Sequence, residues 1–341
     1  MANFFKDNDD LQYYFDKGVD WDALVRVTEH ELTDADADGF STTEEAVGFY
    51  RDIIEMLGEF VATEIKPFEK EIDAQGVELV DGEVVFPERL ARIFDKIKEL
   101  DLHRLPIPRE LGGMNAPMLL YFMNSELMAR ADVSTMAHHG FHAGIGMAML
   151  VFSALEGSAD IDPTTGRINE TRWREAIEEI AAGEAWGCMD ITEPDAGSDM
   201  AALRAVGEQD ADGNWRVSGE KIFITSGHGK YHFVIARTEA VDPEDPTGGL
   251  NGLSMFLVKT YEDDENGNRT RTVQLSRVEE KLGHHGSATC GLVFDKAPAE
   301  LVGERGEGFK YMLTLMNNAR VGVGFECLGL SESAYRTALQ Y

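Results

Sequence analysis

Between Thr42 and Ala182 apolar residues recur three and four positions apart. Beyond Trp186 they alternate or fall in short blocks, and after Gly303 the three-and-four spacing returns. That order predicts an α+β multidomain chain. Its parts are an acidic N-terminal extension over 1–40, an N-terminal all-helical domain over 41–184, a middle antiparallel β barrel or sandwich over 185–302, and the start of a C-terminal helical bundle over 303–341. The first helix opens on a capping box, Thr42 to Glu45, and carries Ala46, Tyr50, Ile53, Leu57 and Ile65 on one face until Pro67 ends or kinks it. A hairpin is expected around Asp81-Gly82 and a helix after Pro87. Further helices are expected over Ala116–Arg130, Ser134–Leu155 and Thr171–Ala182, with 160–166 as a linker.

In the β region the strand candidates are Leu203–Glu208, Trp215–Ser218, Lys221–Thr225, Phe233–Arg237, Ser254–Lys259, Thr272–Leu275 and Gly291–Phe294. Asp-Gly, Asn-Gly and Pro turns separate several of them. Val241–Asn251 and Tyr261–Asn268 are acidic and Gly-rich and read as surface loops. The extension over 1–40 is dense in Asp and Glu with scattered aromatics such as Phe5, Phe15 and Trp21. It reads as a segment with little regular structure that packs through those rings.

With 341 residues, 43% of them hydrophobic, the chain can bury more than one core, and disorder is not expected away from the ends. A net charge of −31 argues against nucleic acid and anionic membrane surfaces as general partners, since both need a basic footprint. Thr135–Leu155 contains no charged residue but includes three histidines and three glycines and lacks flanking anchors. It reads as a helix buried on all sides, with no membrane insertion. No basic n-region opens the chain, and Cys188, Cys290 and Cys327 form no metal spacing, which fits a reducing cytoplasm.

Two short runs carry the candidate chemistry. Cys188 to Asp199 (CMDITEPDAGSD) reads as a strand that breaks at Pro194 into a tight loop, presenting Thr and Ser hydroxyls and backbone N–H groups to a phosphate or a polar ring edge. Lys221 to Gly227 (KIFITSG) reads as a β-branched and aromatic strand closed by a turn. Alone, each could be an ordinary hairpin piece.

Together, in this order, the two runs resemble the flavin-binding signature of the acyl-CoA dehydrogenases. Pro106 to Gly113 (PIPRELGG) upstream, and Glu280 to Thr289 (EKLGHHGSAT) and Val293 to Asp295 (VFD) downstream, extend the resemblance over roughly residues 40 to 341, most of all to the larger bacterial members with an N-terminal extension. The family carries out FAD-dependent α,β-dehydrogenation of an acyl-CoA thioester to the 2-enoyl-CoA, hydride passing to flavin N5. By resemblance, Met189 and Ile191 give main-chain contacts near the isoalloxazine, and Thr192 bonds its pyrimidine side. Gly197 and Ser198 sit where the flavin pyrophosphate meets coenzyme A. Phe223 stands where the family commonly has Trp, keeping an aromatic plate without an indole N–H; Ile224 lies between it and Thr225, which approaches N5. Ser198, Asn317 and Arg320 are the substrate-binding candidates, with Arg320 suited to a phosphate.

The resemblance further implies acyl-CoA as substrate, an electron-transfer flavoprotein as electron acceptor, a homo-oligomer and a cytoplasmic location. No catalytic residue is assigned: the helix after Gly303 halts at Tyr341 in mid-pattern, and the base is expected beyond it in a longer parent. Nothing local marks Glu193 as a proton acceptor. An acyl-CoA oxidase, a flavin monooxygenase, or a non-catalytic flavin or acyl-CoA binder are the alternatives on the same scaffold; rapid reoxidation of reduced flavin in air would mark the oxygen-using kinds. His138, His139 and His142 lack a Cys, Asp or Glu within their segment to complete a metal shell and are expected as satisfied polar groups near a substrate pocket. His284 and His285 are expected at solvent or an interface.

Overall fold

The computed structural model describes residues 2–33, 39–241, 244, 247–263 and 266–341. The acidic extension is more regular than its composition suggests. Asn8 caps α1 (Asp9–Tyr13), a π turn follows over Tyr14–Gly18, and Asp20 caps α2 (Trp21–Thr28). Each cap side chain accepts a hydrogen bond from the first helical turn, and tertiary burial supplies what charge density withholds. Trp21 packs on Tyr50 of α3 (Thr43–Phe60), Phe15 on Trp21 and Phe5 on Phe15, and Phe4 N donates to Gly58 O at 2.9 Å. Gly58 is required there, because a Cβ at this position would lie 2.7 Å from the Phe5 backbone nitrogen.

Thr42 caps α3 by accepting from Glu45 N at 3.1 Å. Pro67 kinks the chain without ending it: α3 runs into a π turn and a 3-10 turn across Lys66–Phe68 before α4 (Glu69–Gln75). The hairpin β1 (Glu78–Val80) and β2 (Glu83–Val85) turns at Asp81-Gly82, both with positive φ. Helices α5 (Glu88–Glu99), α6 (Met118–Ala131) and α7 (Val133–Leu155) complete the helical layer, and the expected linker opens with β3 (Asp160–Ile161), which pairs with β4 (Ile168–Glu170) just beyond it. After α8 (Arg174–Ala181) the barrel begins. Among the described residues no helix is long and apolar enough to cross a membrane.

The barrel strands are β5 (Gly187–Asp190), β6 (Val206–Gln209), β7 (Trp215–Thr225), β8 (Tyr231–Arg237) and β9 (Leu253–Lys259). A small ribbon, β10 (Tyr261–Asp263) with β11 (Arg269–Arg271), precedes β12 (Val273–Val278) and the long β13 (Thr289–Val302). The ring closes through β13–β7–β6–β8–β9 and back to β13. It is not purely antiparallel, since β5 pairs parallel with β8 and β6 touches β8 in parallel. The region expected as a bare loop at Tyr261–Asn268 thus carries one strand of a hairpin. In the Val241–Asn251 loop, 242, 243, 245 and 246 lie outside the described residues. The two runs expected as separate strands on either side of Gly219 form one continuous strand. Gly219 passes against Ala205, whose Cβ would stand 2.6 Å from an added Cβ.

Every residue of β8 from Tyr231 to Ala236 is buried, because both faces are covered. Phe233 and Ile235 join the core shared with α7 and α8, while Val234 and Ala236 join the barrel core. The last helix, α9 (Gly308–Gln340), lies along α6 and α7. Gly329 lets it approach α6, and Phe325 stacks on Phe122 at 5.3 Å. Met312 is buried and Leu313 and Met316 partly so, whereas Leu328 and Leu330 remain exposed.

Candidate functional site

The loop after β5 is built by one buried carboxylate. Glu193 and Ala196 exchange two backbone hydrogen bonds of 3.1 Å around Pro194 and Asp195, and Asp195 takes φ +69. The Glu193 side chain accepts from Arg204 N at 2.6 Å, Ala205 N at 3.0 Å and Lys221 Nζ at 2.7 Å. Lys221, itself fully buried, also donates to Ile191 O at 2.9 Å, and Ile222 N donates to Thr192 O at 2.8 Å. Burial pulls the Lys221 ammonium below its usual range, with Glu193 opposing. The loop is therefore stapled to β7, which leaves Thr192 half-buried and Gly197 and Ser198 exposed. Glu193 is structural: its oxygens are spent on the loop itself.

Downstream on β7 the register against β13 shifts between Lys221 and Ile224. Phe223 sits in this bulge at φ +60 and is 59% exposed. A bulky aromatic residue in the left-handed region inside a strand is an outlier that costs of order 1–3 kcal/mol. Ile224 turns the other way into the barrel core, so its side chain offers nothing outside and only its main chain remains available. Met189 is buried in the core shared with the helices, where it too presents main chain. Thr225 follows, half-buried, opposite Thr289 of β13.

Thr225 and Thr289 open onto a cavity of about 900 Å³ between α6, α7, the 281–289 loop and α9. Its wall is mainly apolar, from Phe122, Met136, Phe141, Ile145, Met316 and Val323, with polar groups from the 281–289 loop, the strand ends and α9 among them. There Lys281 donates to Glu279 O and Ser287 O, both at 3.1 Å, and His284 Nε2 meets Glu326 Oε1 at 3.0 Å. His284 thus faces the cavity, and His285 bonds Asp73 at 2.9 Å across the interface with α4. Of the sequence-derived site residues, Thr225 and Arg320 line this cavity together. Arg320 donates to Asn317 Oδ1 at 2.7 Å on the exposed side of α9, and Asn317 itself is not on the wall. Thr192 and Ser198 are set on the stapled loop, whose bond to Ile222 lies about 10 Å along the strand from Thr225.

One positioning group was visible in the sequence without its role. His138 on α7 accepts from Ala288 N at 3.0 Å through Nε2, so Nδ1 carries the hydrogen and donates to Ser226 Oγ at 3.1 Å. It ties the helical layer to both strand ends that flank Thr225 and Thr289, and Ser226 there holds φ +58. The expectation that its neighbours are all satisfied needs correcting. His139 reaches Asn124 at 2.8 Å and His142 reaches Ala185 O at 2.7 Å, but Nδ1 of both, Nδ1 of His103 and both nitrogens of His228 have no partner among the described residues. Burial lowers these imidazoles, His103 and His228 to about 4 and His139 to about 3. Sequence reading also missed Glu126 of α6, which burial and the neighbouring Glu332 push up to about 7 against the pull of Arg130. Only packing α9 on α6 brings these carboxyls together.

A helical layer is docked on a closed barrel, and a stapled polar loop lies on the strand that leads to a mainly apolar cavity. The chain belongs to the acyl-CoA dehydrogenase family: residues 50–156 match the acyl-CoA dehydrogenase N-terminal domain and residues 188–297 the acyl-CoA dehydrogenase middle domain. It is similar to the 3-methylmercaptopropionyl-CoA dehydrogenase of Ruegeria pomeroyi, with 31% identity over 94% of this chain and 50% of that protein. It is also similar to the broad-specificity linear acyl-CoA dehydrogenase of Mycobacterium tuberculosis, with 33% identity over 76% of this chain and 41% of that one. The solved acyl-CoA dehydrogenase of Bacillus anthracis, complexed with FAD, shares the fold at a TM-score of 0.65 and 22% identity, over 86% of this chain and 45% of that one. The chain spans about half the length of the curated relatives it matches.

Proposed function

We propose that this chain carries the flavin- and substrate-binding elements of an FAD-dependent oxidoreductase that converts an acyl-CoA thioester to its 2-enoyl-CoA. The observation that carries the reading is Phe223, held exposed at φ +60 two residues before the cavity-lining Thr225. A flat aromatic ligand covering that ring would bury it and offset the strain. The Bacillus anthracis neighbour, which holds FAD, supports the same cofactor.

The residues present fit the group. The main chain of Met189, Ile191 and Ile224, the hydroxyls of Thr192 and Ser198, the open backbone at Gly197 and the ring of Phe223 would hold it, with Thr225 assigned to its reacting edge. FAD, when bound, supplies the hydride acceptor. Binding is noncovalent: Cys188, the cysteine nearest the loop in sequence, points into the barrel with Sγ 3.1 Å from His232. The acyl chain occupies the apolar cavity, while Ser198, Asn317 and Arg320 take the coenzyme A portion. Glu326 is engaged by His284, and no residue is assigned as the α-proton acceptor. An electron-transfer flavoprotein as acceptor, a homo-oligomer and a cytoplasmic setting complete the proposal. Titrating the purified chain with FAD, and following the visible band and quenching of flavin fluorescence, tests it. Saturable binding, with all flavin released on denaturation, is expected. No binding, or flavin that stays with denatured protein, overturns it.

A further inference from the structure

Inside the barrel the fold gathers three metal-ligating side chains that flavin binding does not use. Cys188 and Asp190 fall on one face of β5, and His232 of β8 lies in register with Cys188. All three are fully buried, and one donor atom of each lies within 4.8 Å of the others. His232 Nδ1 is 2.8 Å from Asp190 Oδ2 and 3.1 Å from Cys188 Sγ. Its Nε2 is 2.8 Å from Thr260 Oγ1 and 3.1 Å from Gly229 O.

Counting protons shows what this arrangement lacks. The Thr260 hydroxyl donates to Gly229 O, so it can only accept from His232, and Nε2 must carry a hydrogen. On the other side Nδ1 faces a carboxylate oxygen, which requires a second proton between them. Without a cation, that proton, a thiol and a carboxylate sit in a core of Val234, Val258 and Phe294. Asp190 Oδ1 is then left with no partner among the described residues. An orphaned carboxylate oxygen in such a core is costly. A remote ring N–H anchored on a carbonyl is, in turn, how metal-bound imidazoles are oriented.

We propose that Cys188 Sγ, His232 Nδ1 and the Asp190 carboxylate, bidentate through Oδ1 and Oδ2, form a site for one divalent cation of the zinc type. As the cation enters, the thiol proton and the proton shared by Asp190 and His232 leave to solvent. The cation with one thiolate and one carboxylate sums to zero charge, which suits an apolar core. Mixed thiolate, imidazole and carboxylate donors favour a borderline-soft ion. Bond lengths of about 2.0–2.3 Å place donors from different residues about 3.2–3.6 Å apart, so His232 Nδ1 needs to draw back from Asp190 Oδ2 and Cys188 Sγ by roughly half an ångström. Being enclosed, the site loads as the barrel folds.

The test uses the 341-residue protein carrying Cys327→Ser, which removes the exposed thiol. The protein is unfolded, refolded with Co²⁺ and desalted. About one cobalt per chain is expected, with a thiolate-to-cobalt charge-transfer band that excess Zn²⁺ bleaches. Cys188→Ser should lose the band, and His232→Gln should lower cobalt content at least tenfold, about the loss that removing even a supporting partner of a metal ligand can cause. Refolded protein without cobalt, or a band that survives Cys188→Ser, overturns the proposal. Should the variants not refold, X-ray absorption on the cobalt form with Cys188 and His232 intact decides. One sulfur with nitrogen and oxygen neighbours supports the site, and an all-oxygen shell overturns it.

Discussion

Acidification should destabilise this protein well above the range in which carboxylates titrate. His103, His139 and His228 are held at about 4, 3 and 4, whereas imidazoles in an unfolded chain titrate near 6.5. Their folded values are depressed, so between those limits the unfolded state binds more protons. The stability they allow is fully present above pH 6.5 and is lost as pH falls towards the folded values. From pH 7 to 5 the three groups together cost about 5–6 kcal/mol by linkage. Glu126 runs the other way: its folded value of about 7 lies above that of a free carboxylate, so protonation over the same window returns about 2 kcal/mol. The net loss is about 3–4 kcal/mol, a large share of the 5–15 kcal/mol typical of a domain. His138 and His142, pushed well below their usual value by burial, deepen it. Urea midpoints at pH 7, 6 and 5, read by the fluorescence of Trp186 within the cluster, measure the loss. His139→Gln, which can keep an amide contact to Asn124, should flatten the dependence, and Glu126→Gln should steepen it. Midpoints unchanged from pH 7 to 5, or histidine NMR shifts titrating near 6.5, would refute the reasoning.

Lys221→Met removes the cation facing Glu193 and leaves a buried carboxylate holding only backbone N–H groups, so it should cost about 3–5 kcal/mol; a urea midpoint equal to that of the parent would count against the stapled loop. Gly58→Ala forces a Cβ against the Phe5 backbone and should cost about 1–3 kcal/mol, freeing the extension for proteolysis near residue 10. Protection identical to the parent would show that the extension docks otherwise. Thr225→Val should slow flavin reduction about 10–1000-fold in a catalytically complete protein while flavin content is kept; an unchanged rate removes Thr225 from the reacting edge.

Much of the architecture was legible because it rests on local periodicity. The capping box at Thr42, the three-and-four spacing of Tyr50, Ile53 and Leu57, and the turn at Asp81-Gly82 are short-range signals, and the structure realises each of them. The resemblance to the acyl-CoA dehydrogenases was legible for a different reason: Thr192 to Asp199 and Lys221 to Gly227 are contiguous runs, so their order along the chain carried it. Non-local pairing decided the rest. The closure of β13 on β9, the parallel seating of β5 on β8 and the bulge that exposes Phe223 while burying Ile224 arise from register between strands far apart in sequence. Aromatic anchoring on α3 gave the acidic extension its helices, against its composition. The buried histidines, the Glu126–Glu332 pair and the Cys188–Asp190–His232 cluster depend on burial and proximity, which are properties of three-dimensional packing. A residue's protonation or ligating power is set by what surrounds it, and those surroundings are supplied by chain segments from dozens to hundreds of residues away.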